Sequence, residues 1–319
     1  MFLGREKTLG IRVVLKQYLD DQFKGILREL KIFTELEKKD CKKQNDNLAQ
    51  IIEHGPKHNA LPHMLSYTVQ DETVGEILMT YGGPTLKYWM RKISTKQKRI
   101  DFIMTMLPQV IQGLRLLHRF GYSHGDLKGE NICARIDSNG NFKFTLIDLG
   151  ICTKLPRMGS NPYVPNFKGN LMFSSANQIK NNRPNEIDDV YSLICVAYKF
   201  IIGSLPWMEF MRKFKEQSGF DFQTEQKEKE FYINLRQKQA KNFDEQLIEK
   251  SECLSPFFKM IKEQQEMRDE SEKVWLDVGK IGDTFKFDYD RLLALIPNDV
   301  SFKRSDLSSK NQKIKDMSV

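Results

Sequence analysis

The sequence predicts an α+β fold in two parts: a small, strand-rich portion up to residue 81 and a larger, mainly helical portion after it. Three observations carry this. Strand-like runs cluster early, at Ile11–Lys16, Leu61–Val69 and Gly75–Tyr81, with one amphipathic helix, Gln22–Leu36, among them. Long apolar patterns of helical period follow, at Ile100–Phe120 and Ile187–Ile202. Between them lies Tyr122–Gly150, YSHGDLKGENICARIDSNGNFKFTLIDLG, in which His124, Asp126, Asn131 and Asp148 are strung around a strand hairpin.

Length and composition set the bounds. At 319 residues, 40% hydrophobic and 29% charged, the chain can bury one large core or two moderate ones. It holds no run of about 18 apolar residues, so no membrane span is expected, and Met1–Arg5 lacks the apolar core of a signal peptide. The cysteines Cys41, Cys133, Cys152, Cys195 and Cys253 form no C-x-x-C pair and are odd in number, which favours reduced thiols and an intracellular, cytoplasmic or nuclear address. Fifty Lys and Arg against 42 Asp and Glu leave a net charge of +8, which favours acidic partners; no nucleic-acid motif accompanies it.

Taken in order, the first run ends in a lysine, Ile11-Arg12-Val13-Val14-Leu15-Lys16. Glu29 follows within the Gln22–Leu36 helix, where Phe23, Ile26, Leu27, Leu30, Phe33 and Leu36 recur at helical spacing. A strand lysine paired with a helix glutamate can hold nucleotide phosphates, because the carboxylate orients the ammonium. Asp40–Asn47 reads as loop. Tyr81-Gly82-Gly83-Pro84 closes a strand with residues that break one, a plausible hinge. The Ile100–Phe120 helix then delivers the chain to His124.

The order H-x-D-x-x-x-x-N, filled by His124, Asp126 and Asn131, supplies a carboxylate beside a nucleophile and an amide oxygen for a hard cation. Asn139-Gly140 between Ile132–Ile136 and Phe142–Ile147 predicts a two-residue hairpin turn. That hairpin carries Asn131 at its start and Asp148 at its end. Past Gly150, Pro156–Gly169 reads as exposed loop and Asn170–Asn177 as packed structure. Asp189 stands where the first-turn amides of the Ile187–Ile202 helix need acceptors, and Gly203 ends that helix. Met211–Glu252, rich in Lys, Glu and Gln, reads as exposed helix and loop, and a solvated face is favoured over a partner surface. Leu254–Met267 and Asp290–Ile296 carry the last helical patterns, and Asn298–Val319 reads as a polar, disordered tail.

These motifs together resemble the protein kinase superfamily, and more closely its casein kinase 1 group. The group-level signal is Phe173-Ser174-Ser175-Ala176-Asn177, Asp188-Asp189-Val190-Tyr191-Ser192-Leu193, Gly203-Ser204-Leu205-Pro206-Trp207 and Phe287-Asp288-Tyr289-Asp290-Arg291-Leu292. Within the group, FKGNLMFSSANQ is similar to tau-tubulin kinases and His124-Gly125-Asp126 to vaccinia-related kinases. The resemblance implies a bilobal protein kinase fold over residues 1–297, with a β-sheet N-lobe to residue 81 and a helical C-lobe from residue 82. It implies a monomeric Ser/Thr kinase using ATP and Mg²⁺ on protein substrates, acidic or already phosphorylated ones among them. Asp126 would accept the hydroxyl proton, and Lys128 would steady the γ-phosphate. Asn131 and Asp148 would hold the metal, and Lys16 the α and β phosphates against Glu29. Met79 would be the gatekeeper, Tyr81 and Gly82 the hinge at the adenine, and Cys133 part of the floor beneath it. His124 and Leu149 would join a packed spine anchored by Asp189.

Four departures stand against the family pattern. The glycine-rich loop is missing, because Phe2-Leu3-Gly4 looks like the strand after it. Val14 replaces an alanine over the adenine. Asn170 replaces a threonine that contacts the catalytic aspartate. Gly125 replaces the arginine of H-R-D, removing the usual dock for an activation-loop phosphate. Two alternatives follow from the missing loop: a catalytically impaired pseudokinase acting as a binding module, or a chain whose true start supplies it.

Overall fold

The computed structural model describes residues 2–5, 12–19, 23–40, 61–62, 64–70, 74–155, 169–181, 185–218, 225–278 and 285–307. The loops expected at 41–47 and 156–168, and the tail beyond Leu307, lie outside the described residues. The chain divides into two compact units: residues 1–124, 129–153 and 299–319 form the first, and residues 125–128 and 154–298 the second.

In the first unit, β1 (Phe2–Arg5), β2 (Arg12–Leu19), β3 (Met64–Gln70) and β4 (Val74–Thr80) form one antiparallel sheet in the order β1-β2-β4-β3. Val14, Lys16 and Tyr18 share one face of β2 because side chains alternate along a strand. Against them packs the Phe23–Asp40 helix through Ile26 and Leu30, closing a core with Ile77 and Met79. Gly75 permits that approach: a Cβ there would lie 2.3 Å from Ile26 Cδ1. One turn further along the helix, Ile32 and Phe33 join Leu117, Tyr122, Leu149 and Cys152 in a second cluster.

The Lys96–Arg119 helix begins at Thr95, whose side chain accepts from the Lys98 N–H. By length and composition it could cross a membrane, yet Phe102, Ile103, Met106, Leu107, Val110, Ile111 and Leu114 are all buried, as in a core helix. On it sits the hairpin of Ile132–Ile136 and Phe142–Leu146. Gln109 serves as a substitute strand partner, its amide nitrogen donating to Phe142 O and its oxygen accepting from Phe144 N.

Two expectations change here. The hairpin turn is not a two-residue one at Asn139-Gly140. Gly140 N donates to Asp137 O, and among the described residues in the turn only Gly140 has positive φ, at 79°. A primed two-residue turn needs positive φ at both central positions, whereas an ordinary turn followed by a left-handed glycine needs it once. Asp137 stabilises this choice by accepting from the N–H groups of Asn139 and Asn141. Secondly, the segment from 298 is not unstructured throughout. Phe302 is buried against Phe102 and Phe142, and Arg304 N donates to Gly140 O. Tyr81–Pro84 packs tightly on the hairpin: Ala134 N donates to Pro84 O, and a Cβ on Gly83, whose φ is 100°, would fall 2.2 Å from Ala134 O.

The second unit is helical and centred on Glu186–Ile202, which is almost wholly buried. Asn185 and Asp188 form a reciprocal capping box at its start. In it Asn185 Oδ1 accepts from the Asp188 N–H of the first turn and Asp188 Oδ2 from the Asn185 N–H, while Asp189, also in the first turn, accepts from Gly125 N. Gly203, at φ 102°, ends the helix as expected. Around it lie Ala176–Asn181, Pro206–Ser218, Glu225–Lys238, Ala240–Lys250, Ser255–Val278 and Tyr289–Ala294.

The charge-rich 211–252 stretch is less solvated than its composition suggests. Leu235, Arg236, Phe243 and Leu247 are buried, and Phe243 meets Trp207 edge to face. The Arg236 guanidinium stacks 3.6 Å over the Trp207 ring and donates to the carbonyls of Leu171, Met172 and Ser174. These contacts fix the 171–174 turn to two helices.

Candidate active site

The first unit gathers Lys16, Glu29 and Asp148. Lys16 Nζ lies 2.8 Å from Glu29 Oε2 and 2.7 Å from Asp148 Oδ1. β2 brings the lysine by alternation, and the helix brings Glu29 on the turn that also buries Ile26 and Leu30. Glu29 is fully buried, Lys16 nearly so, and Asp148 is 41% exposed at the side chain. An ammonium between two carboxylates is neutralised on its inner side and open on the outer, where an anionic ligand could meet it. Burial opposes the charge on Lys16, but Glu29 and Asp148 outweigh it and raise its pKa above the ordinary lysine value.

The turn that carries Asp148 is pinned from several directions. His124 Nε2 sits 3.1 Å from Ile147 O, Leu149 N donates to Glu29 Oε1, and Arg28 donates to Gly150 O. Asp148 is the one non-glycine among the described residues with positive φ, at 69°. Aspartate tolerates that region better than most residues, and an outlier held by surrounding bonds is typical of a functional turn. Ile147 N donates to Asn131 O, so Asn131 and Asp148 flank the open end of the hairpin.

Met79, Tyr81, Gly82 and Cys133 also belong to this unit. Met79 pairs with Val14 across the sheet and is buried in its core, with Tyr81 packed against the same cluster. Gly82 abuts Cys133: a Cβ on the glycine would lie 3.0 Å from the cysteine's own. Burial pushes the Cys133 thiol up to about 12, so it acts as a small apolar wall residue.

The second unit holds Asp126 and Lys128, with Lys128 Nζ 2.6 Å from Asp126 Oδ2. Gly125, at φ 75°, donates its N–H to Asp189 Oδ1 and accepts from Gln178 Nε2. An arginine in this backbone conformation would be strained, so the glycine in H-G-D suits the local fold. Asn170 Oδ1 accepts from Met172 N, a local cap of its own turn.

Lys16, Glu29 and Asp148 thus come together, as do Asp126 and Lys128 within their own unit. The reading of the residues missed Tyr18, whose hydroxyl hydrogen-bonds Glu29, and Arg28 and Arg236. The one signal for Tyr18 was its alternation with Lys16 along the strand.

The model of the protein kinase domain matches residues 6–274. A casein kinase I of Caenorhabditis elegans is 28% identical over 31% of this chain and 30% of its own length. Eukaryotic translation initiation factor 2-alpha kinase pek-1 of the same organism is 32% identical over 37% of this chain and 12% of its own. A serine/threonine-protein kinase of Dictyostelium discoideum is 25% identical over 61% of this chain and 40% of its own. The matches span less than half the length of these relatives. The family model covers most of the sequence, and its matched span includes Lys16, Glu29, Asp126, Lys128, Asn131 and Asp148: the chain belongs to the protein kinase domain family.

Proposed function

We propose that this chain is an ATP-dependent Ser/Thr protein kinase of casein kinase 1-like character. The observation that carries the reading is Lys16 held between Glu29 and Asp148, the pair-and-carboxylate arrangement that positions nucleotide phosphates. Lys16 holds the α and β phosphates, and Glu29 keeps its ammonium in place. Asp126 orients a substrate hydroxyl and accepts its proton, while Lys128 steadies the γ-phosphate. Asn131 and Asp148 offer an amide and a carboxylate oxygen, donors that fit a small divalent cation such as Mg²⁺, and the bound cation supplies charge neutralisation of the phosphates. Met79, Tyr81, Gly82 and Cys133 form the purine end. The net charge of +8 supports acidic or phosphorylated protein substrates. The free thiols Cys133, Cys152, Cys195 and Cys253 support an intracellular enzyme.

Purified protein given Mg²⁺-ATP and casein should place phosphate on serine and threonine. Phosphotyrosine alone would overturn the specificity. A second reading, a nucleotide-binding pseudokinase, is favoured by buried Val14 in the expected alanine position opposite Met79. Thermal stabilisation by ATP without any transfer would select it.

Lys16→Met tests the phosphate contact. The substitution leaves buried Glu29 and Asp148 without their shared cation, so kcat/KM for ATP should fall about 100-fold or more. A change below threefold would remove Lys16 from the site.

A further inference from the structure

We propose that Tyr18 is a positioning residue of the phosphoryl-transfer site, its hydroxyl fixing the Glu29 carboxylate that holds Lys16 against Asp148. This deepens the kinase reading above and rests on it. Tyr18 follows Lys16 by two residues on β2 and so shares its face. Its ring lies 4.8 Å from the Lys16 ammonium, a cation–π distance. Its hydroxyl donates to the same Glu29 Oε2 that meets the lysine, while Leu149 N takes Oε1. Glu29 therefore accepts three donors from two segments, β2 and the turn at Leu149, and its carboxylate has one orientation that satisfies all of them. Without the hydroxyl, Oε2 would be held by the flexible lysine alone.

The surroundings are built for the ring. A Cβ on Gly25 would lie 3.3 Å from Tyr18 Cε1, and one on Gly150 3.4 Å from its hydroxyl oxygen. Gly25 sits near the start of the Phe23–Asp40 helix, where glycine is otherwise unfavourable. The tyrosine gives it a reason. Burial first, and then the Glu29 carboxylate, raise the Tyr18 pKa, so the hydroxyl stays a donor throughout the working range of pH. Arg28 ties the same helix to Gly150 O at 2.7 Å, so Tyr18 acts on an element already anchored to the Asp148 turn.

Tyr18→Phe keeps the ring and removes the hydroxyl. With casein as acceptor, KM for ATP should rise about tenfold or more, the loss expected for one hydrogen bond to a charged group, with KM for casein unchanged. In a Glu29→Gln background the same substitution should do little, because the two act through one contact. If Tyr18→Phe does not fold, Gly25→Ala crowds the same ring and should raise KM for ATP selectively. Transfer by Tyr18→Phe with an unmoved KM for ATP overturns the role of Tyr18 alone, as does a parallel rise of both KM values that tracks lost stability. Wild-type protein that transfers no phosphate overturns the kinase reading and this proposal with it.

Discussion

Asp126→Asn should lower kcat about 1,000-fold while KM for ATP stays within about twofold. The substitution is nearly isosteric and keeps an oxygen toward Lys128, so the local fold has little reason to move. Gly125 and its bonds to Asp189 and Gln178 hold the backbone beside it independently of the side chain. What is lost is the proposed proton acceptor and the negative charge facing the Lys128 ammonium. The group proposed to bind phosphate, Lys16 with Glu29 and Asp148, belongs to the other unit, so nucleotide affinity should persist. Steady-state kinetics with a melting curve alongside separates this from unfolding. A joint collapse of kcat and Tm would mean that Asp126 is structural.

The largest expected effect on stability lies away from the chemistry. Arg236→Met should cost about 3–5 kcal/mol of unfolding free energy, because several buried carbonyls lose a charged donor at about 1.5–3 kcal/mol for each such bond. The guanidinium is 2% exposed and donates to the carbonyls of Leu171, Met172 and Ser174, which a methionine would leave with fewer donors. Its face also covers the Trp207 ring, whose Nε1–H donates to Met172 O. Lysine should rescue little, because it has neither the planar fork nor the stacking face. Urea unfolding of the two variants measures both. A cost below 1 kcal/mol for Arg236→Met would show that water can replace all three bonds.

These two residues mark how far the sequence could be read. Asp126 could be singled out because His124, Asn131 and Asp148 precede or follow it within one short stretch of sequence, in an order that has chemical meaning. Lys16 and Glu29 were legible for a related reason: one ends a strand-like run and the other lies on the apolar side of a helical pattern. Arg236 was not. In a run of Lys, Glu and Gln an arginine looks like one more solvated charge, and its burial depends on Trp207 and on carbonyls more than sixty residues earlier. Tyr18 was hidden differently, since a tyrosine in a strand needs no explanation until Gly25 and Gly150 are seen to make room for it. Asn139-Gly140 correctly signalled a hairpin but fits two kinds of turn, and the side chain of Asp137 decided between them. Phe302 was lost by averaging over a polar tail, although one aromatic ring is enough to anchor a short segment against Phe102 and Phe142.

The central claim is that this chain moves the terminal phosphate of ATP to a protein hydroxyl through Asp126. The most direct measurement is label from γ-labelled ATP recovered as phosphoserine and phosphothreonine in casein, with wild type and Asp126→Asn assayed side by side at equal concentration. Label with the wild type and almost none with the variant is the predicted result. Equal label from both would contradict it.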